Sequence, residues 1–214
     1  MRIFIIGSGN LGIALFRAHN YNGDTVKMSV RNKDSFLGFN VKEMIDFKPD
    51  RIYYAAGCGS VDEANKNTYE TFKTCVLIPK TILELKRLSG FEFVAFSSQY
   101  AERPDLSLYA ACKLSLEVLV RNYPNAWAPR VANLIGEYMP EKSLNGKLQA
   151  NKPKILPRNI VFPTHVDEIA KRCVGNEFKK TKELFKRPGI PLCTYASELL
   201  GYRVKAGPKD TNRP

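Results

Sequence analysis

The chain has 214 residues, 44% of them hydrophobic and 25% charged, which suits a soluble globular protein with its own core and excludes a disordered or fibrous one. No apolar run reaches the length of a membrane span, and the opening "RIFIIGSG" has neither the apolar stretch nor the cleavage site of a secretory signal, so a cytoplasmic protein without membrane attachment is expected. Lys and Arg number 33 against 21 Asp and Glu, a formal net charge of +12, but the basic residues are spread along the chain and no nucleic-acid-binding signature accompanies them. Mild clusters stand at "EFKKTKELFKR" and "NGKLQANKPK". Solvated surface charge that attracts polyanionic small molecules is favoured over nucleic acid.

In chain order, apolar runs alternate with helix-period segments through the first two thirds, the pattern of β-α-β units around a parallel sheet. Strands are expected at 2–6, 25–30, 51–55, 91–96 and 130–134, the last beginning after Pro129 because proline cannot donate to a ladder. Helices are expected at 11–19, 41–47, 61–65, 69–88 and 108–122. From Tyr138 the composition turns to Pro, Lys and Asn without periodicity and reads as an excursion. An extended piece "IVFPT" follows, then helices at 165–176 and 194–200. The expected architecture is α/β, a Rossmann-type doubly wound parallel sheet over 1–137 with a small C-terminal substrate lobe over 138–214.

"IFIIGSGNLGIALFRAHN" places Gly7, Gly9 and Gly12 in G-x-G-x-x-G spacing between an apolar strand and a helix. Gly7 turns the chain, Gly9 lets backbone approach a pyrophosphate, and Gly12 permits close helix–sheet packing. With Asn10 and Leu11 they put the positive end of a helix beneath the phosphates of a dinucleotide. The second strand, "TVKMSVRNK", ends without the acid that would receive the ribose hydroxyls of NAD, whereas Arg31 can grip a 2′-phosphate. NADP, as NADPH, is therefore the expected cofactor, set against the reading of Arg31 and Lys33 as solvated loop charges. The small residues Ala55, Ala56 and Gly57 after the third strand leave room for that cofactor.

The stretch "FSSQYAERPDLSLYAACKLSLEVL" carries the chemistry. Tyr109 and Lys113, four apart, share one face of a helix, and Ser97 and Ser98 lie where the preceding strand leaves the sheet, the edge at which open α/β sheets bind ligands. A phenol ionises only near about pH 10 on its own, and a neighbouring ammonium favours the phenolate. A serine hydroxyl then holds a substrate oxygen against the phenol for proton transfer while a nicotinamide exchanges hydride.

In these motifs the chain resembles the extended short-chain dehydrogenase/reductase family, in its nucleotide-sugar epimerase, dehydratase and reductase branch. Beyond the glycine turn, "AAG", "SS", Tyr109 and Lys113, "PRVANLIGEYMP" is similar to the family's R-x-x-N-x-x-G segment, with Arg130, Asn133 and Gly136. "FPTHVDEIAKRC" is similar to its H-V-D-D-x-A signature, and "FKPDRIYYAAGCGSVDEAN" to a segment of the dTDP-4-dehydrorhamnose reductases within it. The resemblance implies an NADP(H)-dependent reduction of a keto group on a nucleotide-linked sugar, with Ser98, Tyr109 and Lys113 catalytic and Lys113 also holding the nicotinamide ribose. An epimerase of the same family and a non-catalytic NADP-binding sensor stand as alternatives. The family's S-S-x-x-x-Y-G is shortened to "SSQYAE", which leaves the serine role between Ser97 and Ser98, with Ser98 preferred. Cys58 and Asn133 are expected toward the substrate, and Arg130 either positions the site or contacts a diphosphate. His165 is expected to cap or pack rather than act as a base. The five cysteines show no paired C-x-x-C spacing and read as buried thiols, and with His19 and His165 the only histidines no metal is expected. A homodimer through the long helices is left open.

Overall fold

The computed structural model describes residues 1–29, 37–57, 61–136, 144–151, 155–156, 160–185 and 189–206. Its strands are β1 (Arg2–Ile6), β2 (Thr25–Ser29), β3 (Arg51–Tyr54), β4 (Glu92–Ala95), β5 (Ser97–Ser98), β6 (Ala126–Trp127), β7 (Arg130–Val131), β8 (Leu134–Ile135), β9 (Ile155–Leu156), β10 (Ile160–Val161), β11 (Thr164–His165), β12 (Ile190–Pro191) and β13 (Lys205–Ala206). The helices are α1 (Asn10–Tyr21), α2 (Val41–Phe47), α3 (Val61–Lys66), α4 (Thr68–Phe72), α5 (Ile78–Ser89), α6 (Leu108–Arg121), α7 (Leu144–Asn151), α8 (Val166–Val174) and α9 (Leu192–Leu200).

Five strands form one sheet in the order β2-β1-β3-β4-β6, every neighbouring pair parallel. The order reverses between β1 and β3, so a crevice opens there at the carboxyl ends of the strands. Alternation along each central strand feeds two cores. Ile3, Ile5, Tyr53 and Val94 face α1 and α8, while Phe4, Ile6, Ile52, Tyr54, Phe93 and Ala95 face Ile82 and Leu83 of α5 and Leu116 of α6. Helix α8 therefore closes the sheet layer beside α1. A third, smaller cluster joins Leu148, Val161, Tyr195, Ala196 and Val204.

Three differences from the expected elements have physical causes. The fifth sheet strand is Ala126–Trp127, before Pro129 rather than after it, and the expected strand at 130–134 is two short pieces. Proline has no N–H, but its carbonyl still serves: Ser97 N–H donates to Pro129 O at 2.9 Å, and the chain then pairs with β5 through β7 instead of with the main sheet. Second, the helix expected over 69–88 is interrupted by a wide π turn at Lys73–Leu77, with Ile78 N–H reaching back to Lys73 O. The next residue, Pro79, lacks the N–H that would continue that ladder to the Thr74 carbonyl, and the buried Tyr54 hydroxyl donates to that carbonyl instead, at 2.8 Å. Third, the excursion contains a helix, α7, whose sequence carries no apolar stripe to announce it.

The amino edge of the sheet is held by a buried polar chain. Arg51 donates through Nε to Glu92 at 2.7 Å, through Nη1 to the Tyr53 hydroxyl at 3.0 Å and through Nη2 to Asn176 at 2.6 Å. His19 lies 3.2 Å from the Tyr53 hydroxyl and 2.7 Å from Asp24, which also takes the N-terminal ammonium at 2.8 Å. Among the described residues no helix is long and apolar enough to cross a membrane.

Candidate active site

At the crevice the three glycines do three separate things. Gly7 holds φ +115°, and a Cβ there would stand 2.6 Å from the backbone nitrogen of Ala56, so the turn after β1 lies directly on the end of β3. A Cβ on Gly12 would stand 1.9 Å from the Gly7 carbonyl oxygen, which locks α1 against that turn. Gly9, the residue capping α1, has nothing within 4 Å of where a Cβ would be. The first turn of α1 carries no acid, so its N–H groups offer an open positive end framed by backbone. This cradle fits a pyrophosphate. Asn10 packs against Gly136, whose Cβ would meet it at 3.2 Å, and this joins the end of β8 to the start of α1. Leu11 is buried in the core beneath the turn. Ala55 and Ala56 are half-buried and Gly57 is exposed. Arg31 and Cys58 lie outside the described residues.

The second half of the site is built on α6, whose start is capped by Ser107 accepting from Ala110 N–H at 3.2 Å. Lys113 is 7% exposed, and its ammonium donates to the Phe96 carbonyl at 2.8 Å, just where β4 gives way to β5. The same Nζ stands 5.7 Å from the centre of the Tyr109 ring and 3.8 Å from the Cβ position of Gly57. Lys113 thus joins the end of β3, the exit of β4 and the phenol one turn away. Tyr109 is half-buried, and the ring of Tyr100 meets it edge-on at 6.1 Å.

The two serines face different tasks. Ser97 donates to Glu117 Oε1 at 2.8 Å, and its hydroxyl sits 3.4 Å from the Lys113 carbonyl. Glu117, one turn beyond Lys113 and only 2% exposed, is gripped by Arg130 through Nε at 2.7 Å and Nη2 at 3.1 Å. Arg130 also reaches Glu102 at 3.2 Å. Burial raises the Glu117 carboxyl's proton affinity, but the hydrogen bonds from Arg130 and Ser97 more than reverse this and hold it below the usual range. Ser97 and Arg130 are therefore consumed in fixing α6 on the strand exit. Of the two sequence readings of Arg130, this favours positioning over diphosphate contact. Side chains alternate along an extended strand, so Ser98 turns the other way. Among the described residues its hydroxyl has one partner, the N–H of Tyr100 at 3.3 Å, and keeps its own proton to give.

Asn133 holds φ 30°, and its Oδ1 accepts from Phe162 N–H at 2.9 Å and Gln99 Nε2 at 3.4 Å. That oxygen is committed to joining the residues after β7 to the piece before β11. His165 caps α8, its Nδ1 accepting from Asp167 N–H at 3.3 Å, as expected from the sequence. Sequence reasoning passed over Glu117, Glu102 and Gln99. Only the first left a signal, an acid four residues after Lys113 and hence on its buried face.

A glycine cradle and a Tyr-Lys pair meeting at the switch point of a parallel sheet define a dinucleotide-dependent enzyme of the extended short-chain dehydrogenase/reductase class. The family model for the NAD-dependent epimerase/dehydratase family matches residues 13–156, and the chain belongs to that family. No curated protein matches the chain in sequence. Among solved structures, it is similar to a dTDP-4-dehydrorhamnose reductase from Clostridium acetobutylicum, at 19% identity and a TM-score of 0.79 over 100% of this chain and 86% of the other. It is similar to the Bacillus anthracis dTDP-4-dehydrorhamnose reductase in complex with NADP, at 18% identity and 0.77 over 100% and 87%. A Thermus thermophilus UDP-glucose 4-epimerase complexed with NAD aligns at 16% identity and 0.75 over 100% and 88%.

Proposed function

We propose that this protein is an NADP(H)-dependent oxidoreductase acting on a keto group of a nucleotide-linked sugar. The observation that carries the reading is the division of labour on α6: Lys113 and Glu117 clamp the helix to Phe96 and Ser97, leaving Ser98 and Tyr109 for a substrate. Gly7, Gly9, Asn10, Leu11 and Gly12 would hold the cofactor pyrophosphate, and Ala55, Ala56 and Gly57 would give it room across β3. A bound nicotinamide supplies the hydride. Ser98 donates a hydrogen bond to the substrate carbonyl, Tyr109 gives its phenolic proton to the oxygen as charge develops there, and Lys113 places a positive charge beside that phenol and holds the nicotinamide ribose. NADP is preferred to NAD because the sequence after β2 offers Arg31 and no acid before Asp34. Residues 138–214 would supply the sugar side, with Asn133 at its border.

The test is purified protein with NADPH and a panel of nucleotide 4-keto sugars. Sugar-dependent loss of NADPH absorbance that disappears in Tyr109→Phe is expected. Inversion of a sugar carbon without net consumption of NADPH would instead make it an epimerase, and tight NADPH binding without turnover of any sugar would make it a sensor.

A further inference from the structure

A second concavity of about 300 Å³ lies away from the glycine turn, along the outer edge of the sheet between β6, the end of α6 and the turn at Glu177–Lys179. Four cations line it: Arg121, Lys179, Lys180 and Lys182, against one acid, Glu117. That acid is already spent on the buried Arg130. Arg121 and Lys182 stand farther from it, at 3.7 and 3.4 Å, and are 64% and 52% exposed. Lys179 pairs with Glu92, which Arg51 also holds. The groove thus carries positive charge in excess of its carboxylates, over apolar walls that include Trp127 and Phe178 and keep water from screening it from below.

Two ordinary explanations cover only part of this. A basic residue in the last turn of a helix offsets the helix dipole, which accounts for Arg121 but not for three lysines from a separate turn. Lysines also guard exposed sheet edges, but a guard needs only to face solvent, whereas these line one concave surface.

We propose that this groove is a second anion site, for a compact phosphorylated ligand carrying at least two negative charges, distinct from the cofactor cradle. Arg121 and Lys182 take its oxygens through charge-assisted hydrogen bonds, and Lys180 closes the rim. Nucleic acid fits less well, because stacking needs a bare aromatic face. The Trp127 ring already has the Lys179 ammonium 5.0 Å from its centre and meets the Phe178 ring in a T-shaped contact, the two ring centres 5.4 Å apart.

Trp127 is the only tryptophan in the chain, so its fluorescence reports this groove directly. Inorganic pyrophosphate is titrated at constant ionic strength, with sodium chloride as the matched control. A saturable change with a midpoint below about 1 mM is expected. The double variant Arg121→Ala/Lys182→Ala should weaken it by about tenfold or more, the size of losing charge-assisted hydrogen bonds. Pyrophosphate held at the glycine turn instead would be indifferent to these substitutions. Lys180→Ala/Lys182→Ala gives the same reading should the first pair perturb folding by circular dichroism. A linear response, one reproduced by chloride, or one that both double variants leave intact overturns the proposal.

Discussion

Ser97 and Ser98 are chemically identical neighbours, yet their hydroxyls have different partners, the buried Glu117 carboxylate for Ser97 and the Tyr100 N–H for Ser98. Removing the Ser97 hydroxyl deletes a buried hydrogen bond to a charged carboxylate, which contributes about 1.5–3 kcal/mol. For a chain of this size that lowers Tm by roughly 2–4 °C per kcal/mol. Ser97→Ala should therefore melt several degrees lower and keep most of its turnover. Ser98→Ala should melt near the native temperature and lose about 10²-fold or more in kcat, the scale on which a positioned hydrogen-bonding group acts in the transition state. Equal kcat in the two variants would mean that the serine roles are misassigned. Arg130→Met is harsher, because it strands the buried Glu117 carboxylate, and should cost roughly 3–5 kcal/mol by chemical denaturation. At this scale the sequence was legible wherever spacing carried the information: Gly7, Gly9 and Gly12, and the Tyr109–Lys113 pair. It left the serine role between Ser97 and Ser98, preferring Ser98, and did not show which hydroxyl a buried carboxylate holds. That depends on Arg130 pairing across to Ser97, a contact between residues 33 apart that no local period reveals.

Among the elements, the interrupted helix over α4 and α5 makes the most specific claim. Pro79 withholds a donor, the Thr74 carbonyl is left over, and Tyr54 at the end of β3 fills the gap. Tyr54→Phe should cost about 1 kcal/mol, because a part-buried carbonyl loses its partner. Pro79→Ala returns a backbone N–H able to reach that carbonyl, so the double variant Tyr54→Phe/Pro79→Ala should lose less than Tyr54→Phe alone. Urea unfolding of the two single variants and the double variant measures the coupling, and strict additivity would show that the proline and the hydroxyl are unrelated. The long amphipathic period announced the helix but not its π turn, since the interruption answers to one missing N–H rather than to a change of pattern. The same limit explains β6. Two residues ahead of a proline carry no alternation to read, and only the Phe93–Ala126 register identifies them as the sheet's edge.

At the scale of the whole molecule, the polar chain along the amino edge ties the chain start, β3, β4 and the residues after α8 into one unit, and its titration sets how the fold responds to acid. Burial is the largest influence on His19 and, against the pull of Asp24, holds its proton affinity below the usual histidine value. His19 is thus neutral in the fold, with Nδ1–H donating to Asp24 and Nε2 left as an acceptor facing the Tyr53 hydroxyl. In the unfolded chain it takes up a proton below about pH 6.5, so unfolding binds a proton there and stability falls as pH drops. The carboxylates act in the same sense at lower pH. Burial raises the Asp24 value, but hydrogen bonds from His19, the amino terminus and Asn22 more than reverse this and bring it to about 2. Glu92 and Glu117 are likewise held below the usual range, against burial, by Lys179 and Arg51 in one case and Arg130 and Ser97 in the other. Their contributions are complete above the unfolded carboxylate range of about 4–4.5 and are lost as pH falls toward the folded values. Each proton taken up on unfolding adds a slope of about 1.4 kcal/mol per pH unit. Tm should therefore be level from about pH 7 to 8, decline gently below about 6.5 and fall steeply below about 4.5; above about pH 8.5 it declines again, because burial raises the Cys173 thiol and unfolding releases its proton. His19→Gln should abolish the gentle segment while keeping the steep one. A native chain whose Tm stays flat between pH 7 and 5 would show that His19 is not the neutral hinge of this edge.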